Sequence, residues 1–411
     1  MTSPSLDVEP ACPDGAALED AIGSPIPDGR TTRLRVARRT IREIPRDTWD
    51  ALLLGTRWAT PFSGWAFQRA WWDAYGASAH EETFIFEDPA TDEIVGIAPL
   101  MHRHEVEPAD AATQTKMRHG HDTPLTAVPP TAKAMFFGAS YHADYATVLA
   151  APAALPDVAE ALVERLARVP EPGDPHAVPW DVVDLRRLRC GDPAADALAD
   201  AFGRREMSEG WTLNVEREDV CPVVTLPVGA DFDEYLGTLG KKSRHEIRRK
   251  IRRAESAGEI RLTDSTDPLA DLETFIDLHQ QRWGADGLFP PTPGGEASRT
   301  LFRRMFEEDG PGGALALAFL TVGDRRIAAG VHFRTADGYL YYNAGIDPEA
   351  RDLSPGVIMV AAYVRRALAE GCRRLDFLRG DEQYKYEWGA VDEPIQRLLV
   401  RRGRSGADGT R

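Results

Sequence analysis

Five side chains able to take, give or electrostatically hold a proton fall within six residues: Asp381, Glu382, Tyr384, Lys385 and Tyr386. The two carboxylates are candidate bases, the two phenols candidate acids, and the lysine a fixed cation. A salt-bridged turn has the same composition, and both readings stay open at this level. A second group lies upstream, where Ser354, Pro355 and Gly356 open an apolar run and Arg351 precedes them. Ser354 is an expected N-cap, and Pro355 suits the first helical position. The first amides of a helix lack internal acceptors and favour an anion. Gly356 leaves room for a phosphate to approach the backbone, and Arg351 adds positive charge. The null alternative is a helix start that is only capped. No Gly-x-Ser-x-Gly pattern supplies a nucleophile, so a covalent enzyme intermediate is not expected.

These groups need elements to carry them. Val357, Val360, Ala361, Val364 and Leu368 share one helical face, and Gly371 is a stop signal. Residues 373–378 then read as a short buried strand. Upstream, residues 314–322, 326–335 and 339–346 read as strands, the last two joined at Asp337-Gly338 as an antiparallel hairpin. Strict alternation puts Tyr339, Tyr341 and Asn343 on one face, and Leu340, Tyr342 and Ala344 on the other. A helix is expected over 268–283, with His279 on its apolar face as a packed residue or a catalytic one. Residues 284–295 form a Gly/Pro loop suited to a lid, followed by a helix over 298–307.

The first half alternates strands (32–39, 82–87, 94–101, 135–137, 146–149, 180–185) with helices (46–54, 61–76, 155–169, 193–202), which is an α/β pattern. Residues 61–76 concentrate Trp65, Phe67, Trp71, Trp72 and Tyr75 on a helix, as a core seam or an acceptor-binding wall. Asp144-Tyr145 is a turn with a packed ring or a functional pair. His102, His104, His119 and His121 lack a carboxylate or cysteine at ligand spacing, so no metal site is assigned. A strand over 221–226 leads into the second half.

Residues 241–253 hold eight Lys/Arg and one Glu, a net +7 in a chain of net charge −16. Ser243-x-x-Glu246 reads as a capping box, with Ile247, Ile251 and Ala254 on the buried face. The exposed cations either balance an acidic body or bind an anionic partner. The overall negative charge argues against a protein that coats nucleic acid or an anionic membrane. Cys12, Cys190, Cys221 and Cys372 have no metal-type spacing and read as reduced thiols of a cytoplasmic protein. Residues 1–30 and 404–411 are expected to be disordered, and no apolar run reaches the length of a membrane span.

The pattern Arg351-x-x-Ser354-x-Gly356 resembles the Arg/Gln-x-x-Gly-x-Gly/Ala pyrophosphate loop of GNAT-superfamily acyltransferases, with Ser in place of the first Gly. The run LDFLRGDEQYKY over 375–386, the segment LHQQRW over 278–283 and the basic helix resemble the CelD/BcsL-like branch, which is related to the FemAB peptidoglycan aminoacyltransferases. The likeness is close over 230–402 and looser over 32–225. It implies two tandem GNAT-like domains of mixed α/β sheet, at 31–225 and 226–403. It implies donor phosphates at Arg351, Ser354 and Gly356, and a reacting carbonyl near Tyr342, Asn343 and Ala344. Asp381 or Glu382 would accept the amine proton, Tyr384 or Tyr386 would protonate the leaving group, and Lys385 would hold negative charge. Arg244, Arg248, Trp283 and Arg379 are the candidate substrate-binding residues. The implied activity is direct N-acyl transfer from acyl-CoA (acetyl-CoA) to a small-molecule, sugar or envelope-precursor amine. Two alternatives accompany it: an aminoacyl-tRNA donor, and a noncatalytic accessory role in polysaccharide or envelope biosynthesis.

Overall fold

The computed structural model describes residues 34–103, 125–129, 131–139, 141–168, 180–310 and 312–402. The segments expected to be disordered, and His104, His119 and His121, lie outside the described residues. The first half runs β1 (Arg35–Arg39), α1 (Arg46–Gly55), α2 (Trp65–Tyr75), β2 (Ala79–Glu81), β3 (Thr83–Glu87), β4 (Ile94–Ala98), β5 (Leu100–Arg103), β6 (Ala134–Phe137), β7 (Leu149–Ala150), α3 (Leu155–Ala167), β8 (Val182–Arg189), α4 (Pro193–Glu209) and β9 (Thr212–Thr225). The second half runs α5 (Phe232–Thr238), α6 (Lys241–Ala257), β10 (Ile260–Asp264), α7 (Pro268–Trp283), α8 (Pro293–Asp309), β11 (Leu315–Val322), β12 (Arg325–Arg334), β13 (Gly338–Ile346), α9 (Pro355–Ala369), β14 (Arg374–Asp376), α10 (Gln383–Glu387) and β15 (Val391–Arg401).

A small sheet has the order β1-β3-β4-β7, and a large one the order β10-β11-β12-β13-β14-β9-β15-β8-β6-β5-β2. Only β13–β14 and β6–β8 pair in parallel among the described strands. Each of these pairs is joined through a helix, α9 or α3, as a parallel pair requires. The same order therefore occurs twice: strand, helix, parallel strand, helix, long antiparallel strand. The central run β13-β14-β9-β15-β8-β6 is symmetric about its middle, with β13 matching β6, β14 matching β8, and β9 matching β15. The two long strands are exchanged, because β9 lies beside β14 and β15 beside β8.

The aromatic face of α2 is core. Phe67 and Trp71 are buried with Phe62 in one cluster shared with Phe275, Phe302, Phe333 and Leu340 of the second half. Edge-to-face contacts link Phe62 to Phe333 at 5.2 Å and to Tyr342 at 5.4 Å. The seam thus joins the halves and is not an open acceptor wall.

Several boundaries differ from the expectation. Residues 94–101 divide at Pro99 into β4 of the small sheet and β5 of the large one, because proline cannot continue the ladder. The strand expected at 146–149 shortens to β7, while β9 begins well before Cys221. Helix α6 starts at Lys241 with Gly240 as N-cap, and the Ser243/Glu246 box does not form. Glu246 instead meets Arg249 at 2.9 Å. Cys221 and Cys372 are free thiols, but Cys190 is disulfide-bonded, which corrects the expectation of four reduced cysteines. Among the described residues no helix is long and apolar enough to cross a membrane, and no group of metal-ligating side chains is assembled.

The exchanged strands are locked by a buried charge network. Arg397 on β15 is fully buried and bidentate to Asp184 on β8, at 2.6 and 2.8 Å. It also donates to Glu216 on β9 at 3.0 Å and to the Thr126 carbonyl at 2.8 Å. Removing one side of such a pair strands a buried charge. Arg397→Met is expected to lower the unfolding free energy by about 3–5 kcal/mol, read from urea denaturation. The double change Arg397→Met with Asp184→Leu is expected to cost less than the two single changes added together.

Candidate active site

β13 pairs with β12 along most of its length but with β14 only over Gly338–Leu340. Beyond Leu340 the two parallel strands part. The β12–β13 register shifts between Val331 and His332, which face Asn343 and Tyr341, so Tyr342 is an extra residue without a partner. This bulge bends β13 away and breaks the strict alternation expected for 339–346. Tyr341, Tyr342, Asn343 and Ala344 consequently all border a cavity of about 690 Å³ in the gap. The Tyr342 side chain itself turns into the seam between the halves. Its ring stacks on Phe302 at 5.8 Å and its hydroxyl donates to the His142 carbonyl at 2.8 Å.

Arg351, Ser354 and Gly356 border the same cavity. Ser354 lies in the left-handed region (φ 55°, ψ 53°), the conformation that glycine favours, and its side chain caps nothing. The expected side-chain cap is therefore absent, and Ser354 holds a glycine-type corner at a cost of roughly 1–2 kcal/mol. Its carbonyl takes the amides of Val357 and Ile358 at 2.9 and 3.1 Å. A Cβ placed on Gly356 meets nothing within 4 Å, so the corner is open. Arg351 and Arg282 both line the cavity, and neither has a carboxylate partner among the described residues. Arg282 lies over the ring of Trp283, at 4.6 Å from its centroid.

The opposite wall comes from the chain leaving β14. Glu382, Tyr384, Lys385 and Arg379 reach the cavity, but Asp381 and Tyr386 do not. Asp381 is buried at 4% exposure, and Tyr386 donates to Asp392 at 2.7 Å outside the cavity. Lys385 departs from its expected role as a free cation. Its ammonium donates to the carbonyls of Leu378, Arg379 and Gly380 at 3.1, 2.9 and 2.8 Å, and meets Glu382 at 2.9 Å. An ammonium has three N–H donors, so these contacts consume them. Lys385 thus folds the turn and aims Glu382. Burial pushes the Tyr384 phenol upward, so it stays protonated near neutrality, and its hydroxyl has no hydrogen-bond partner among the described residues.

Two candidates lie elsewhere. Arg244 donates to the Gly237 carbonyl at 3.0 Å, and Arg248 pairs with Asp233 at 2.9 Å; neither borders the cavity. His279 does, but both its nitrogens are in use. The Leu288 amide donates to Nε2 at 3.3 Å, so Nδ1 carries the proton and donates to the Ala344 carbonyl at 3.2 Å. Burial lowers its pKa to about 4. His279 is a neutral tether between β13 and the 284–290 loop, not a base.

Sequence reasoning missed Arg282 as a cavity cation, and it left the Asp144-Tyr145 pair undecided. The pair braces the far wall: Asp144 faces Arg379 at 3.3 Å, and the Tyr145 hydroxyl donates to Asp376 at 2.8 Å. Asp376 also accepts from the Leu378 amide at 2.8 Å, and Leu378 has a positive φ of 58°. Burial raises the Asp376 carboxyl from 3.8 to about 6, against the opposing effect of those two donors. As pH rises through this window the unfolded chain releases its proton first, so the folded state loses stability between about pH 4 and 6. Asp376→Asn has no such titration. Between pH 4 and pH 7 the wild type is expected to lose about 2 kcal/mol relative to this variant in paired urea titrations.

Residues 241–386 match the family model described as an acetyltransferase (GNAT) domain. No curated protein matches the sequence. Among solved structures, FemX is similar over 88% of this chain and 96% of its own, at 11% identity and a TM-score of 0.50. A conserved protein of unknown function from Bacteroides thetaiotaomicron is similar over 90% of this chain and 100% of its own, at 12% identity and a TM-score of 0.50. Parted parallel strands, a glycine-type corner before the crossover helix, and a domain match over that same segment converge on one statement: residues 241–386 carry a GNAT acetyltransferase domain.

Proposed function

We propose that the protein moves an acyl group from acyl-coenzyme A directly to the amine of a small-molecule, sugar or envelope-precursor acceptor. One observation carries this reading: the open corner at Arg351–Gly356 and the rim of Glu382 and Tyr384 border a single cavity. The donor's phosphates lie against the helix start and Arg351. Its thioester carbonyl lies along Asn343 and Ala344, where β13 has lost its neighbour. Glu382, aimed by Lys385, takes a proton from the acceptor amine directly or through one water. The nitrogen lone pair attacks the carbonyl carbon, the C–S bond breaks, and the neutral Tyr384 phenol protonates the departing thiolate.

Coenzyme A is expected to stabilise the protein by about 2.7 kcal/mol at a hundredfold excess over Kd. Gly356→Trp is expected to abolish that shift while the unliganded melting temperature is kept, because the indole grows into open space. Tyr384→Phe is expected to lower kcat by about 10²-fold with little change in the KM for acyl-CoA. Absence of any coenzyme A stabilisation in the wild type overturns the reading.

A second donor, aminoacyl-tRNA, is favoured by helix α6. It packs on α9 and on the Pro348–Leu353 turn that bears Arg351. Lys241, Lys242, Arg244, Lys250, Arg252 and Arg253 have no carboxylate partner among the described residues, so the helix that packs beside the corner carries unpaired cations. This donor predicts salt-sensitive tRNA binding that weakens at least tenfold when Arg252 and Arg253 become Glu, measured by fluorescence anisotropy. Equal binding by that variant removes it.

A further inference from the structure

Arg379 is a half-buried cation of the cavity wall. Its side chain is 16% exposed, and its one ion pair among the described residues is the 3.3 Å contact of Nε with Asp144. No hydrogen bond joins its guanidinium to any described residue, although a guanidinium carries five N–H donors. Burial opposes its charge, but the carboxylates of Asp144, Glu218 and Asp219 keep it cationic. A half-buried guanidinium whose remaining donors are left to solvent can still take an anion in a bidentate contact.

The placement of Arg379 is fixed from both sides. Its carbonyl accepts from Lys385 at 2.9 Å, and the next amide, of Gly380, donates to the Val220 carbonyl at 3.0 Å. Upstream, Asp376 is held by Tyr145. A guanidinium on so rigid a stretch is a preorganised fork for a carboxylate or a phosphate. The donor's phosphates already have Arg351 and the α9 start, which follow β13. Arg379 instead follows β14, in the short segment that also supplies Glu382 and Tyr384. An anion bound there brings the rest of its molecule beside the candidate base.

We propose that the acceptor is an amine that also carries a carboxylate or a phosphate, and that Arg379 binds that anionic group. This rests on the acyl-transfer reading above and adds the chemical class of the acceptor to it. The preference follows because a neutral analogue offers the Arg379 fork no charged acceptor.

The test uses the full chain saturated with coenzyme A at constant ionic strength, following tryptophan fluorescence, since Trp283 and Trp388 border the cavity. The probes are matched pairs: glycine against glycinamide, and phosphoethanolamine against ethanolamine. At least one anionic member is expected to bind saturably and its neutral twin at least tenfold more weakly. Preference for glycine or for phosphoethanolamine separates carboxylate from phosphate recognition. Arg379→Gln is expected to erase the preference, and Arg379→Lys to retain part of it, which shows that charge rather than folding is read. With acetyl-CoA supplied, the same preference is expected in the rate of thiol release. Equal binding of charged and neutral twins, or an unchanged preference in Arg379→Gln, overturns the proposal. An intact coenzyme A shift with no Arg379-dependent anion binding removes this inference alone. Loss of the coenzyme A shift with anion binding intact removes the transfer reading and leaves Arg379 as an anion site without an acceptor role.

Discussion

The site exists because β13 and β14 stay together for only three residue pairs. A continuous parallel ladder would fill the gap with backbone and leave no cavity there. Both strands are pulled apart by named contacts with the other half. Tyr342 sits at the bulge of β13, with its ring in the inter-half seam and its hydroxyl on His142. On the far side, Tyr145 and Asp144 hold Asp376 and Arg379. The first half is therefore part of the site's construction, although none of its side chains borders the cavity. Its contribution is to keep two strands separated at a fixed distance, which a lone second half would have to achieve without those anchors.

The repeated topology places the same parallel pair, β6 and β8, in the first half. The helix that follows there starts at Leu155, after Ala151-Pro-Ala-Ala154, with neither an arginine nor a glycine at its corner. The second copy keeps Arg351, a left-handed residue and Gly356. Two copies of one scaffold thus differ: one borders the cavity and the other braces it. Fold likeness to FemX over both halves is consistent with this tandem arrangement.

Much of the site was legible because its signals are local. A helix start with Pro355 and Gly356, a hairpin turn at Asp337-Gly338, and a polar turn after a buried strand all depend on neighbours in the chain. The roles of individual side chains were less legible, because they depend on where neighbours point. Lys385 looks like a free cation in the sequence, yet three carbonyls of its own turn absorb it. Asp381 precedes the short helix α10 and Tyr386 lies on it, and both turn away from the cavity in a phase the sequence does not set. The bulge at Tyr342 leaves no mark in the alternation it disrupts. The symmetry was invisible for a related reason: the first part of β9 and the whole of β15 carry charged residues, and β15 also Pro394, so that only 221–226 of these two strands reads as strand. Their burial comes from partners far away in the chain, and Arg397 is internal only because Asp184 and Glu216 wait for it.

The strand exchange also sets an order of assembly. β15 inserts between β9 and β8, so the first half keeps an open edge on β8 until the whole second half has been synthesised. An unpaired edge of that kind recruits other chains. A nascent polypeptide of this type emerges from the ribosome with its central ladder incomplete and depends on chaperones, or on slow closure of a distant contact, to finish it. The same arrangement that makes the two halves inseparable once folded makes the interval before folding the hazardous one.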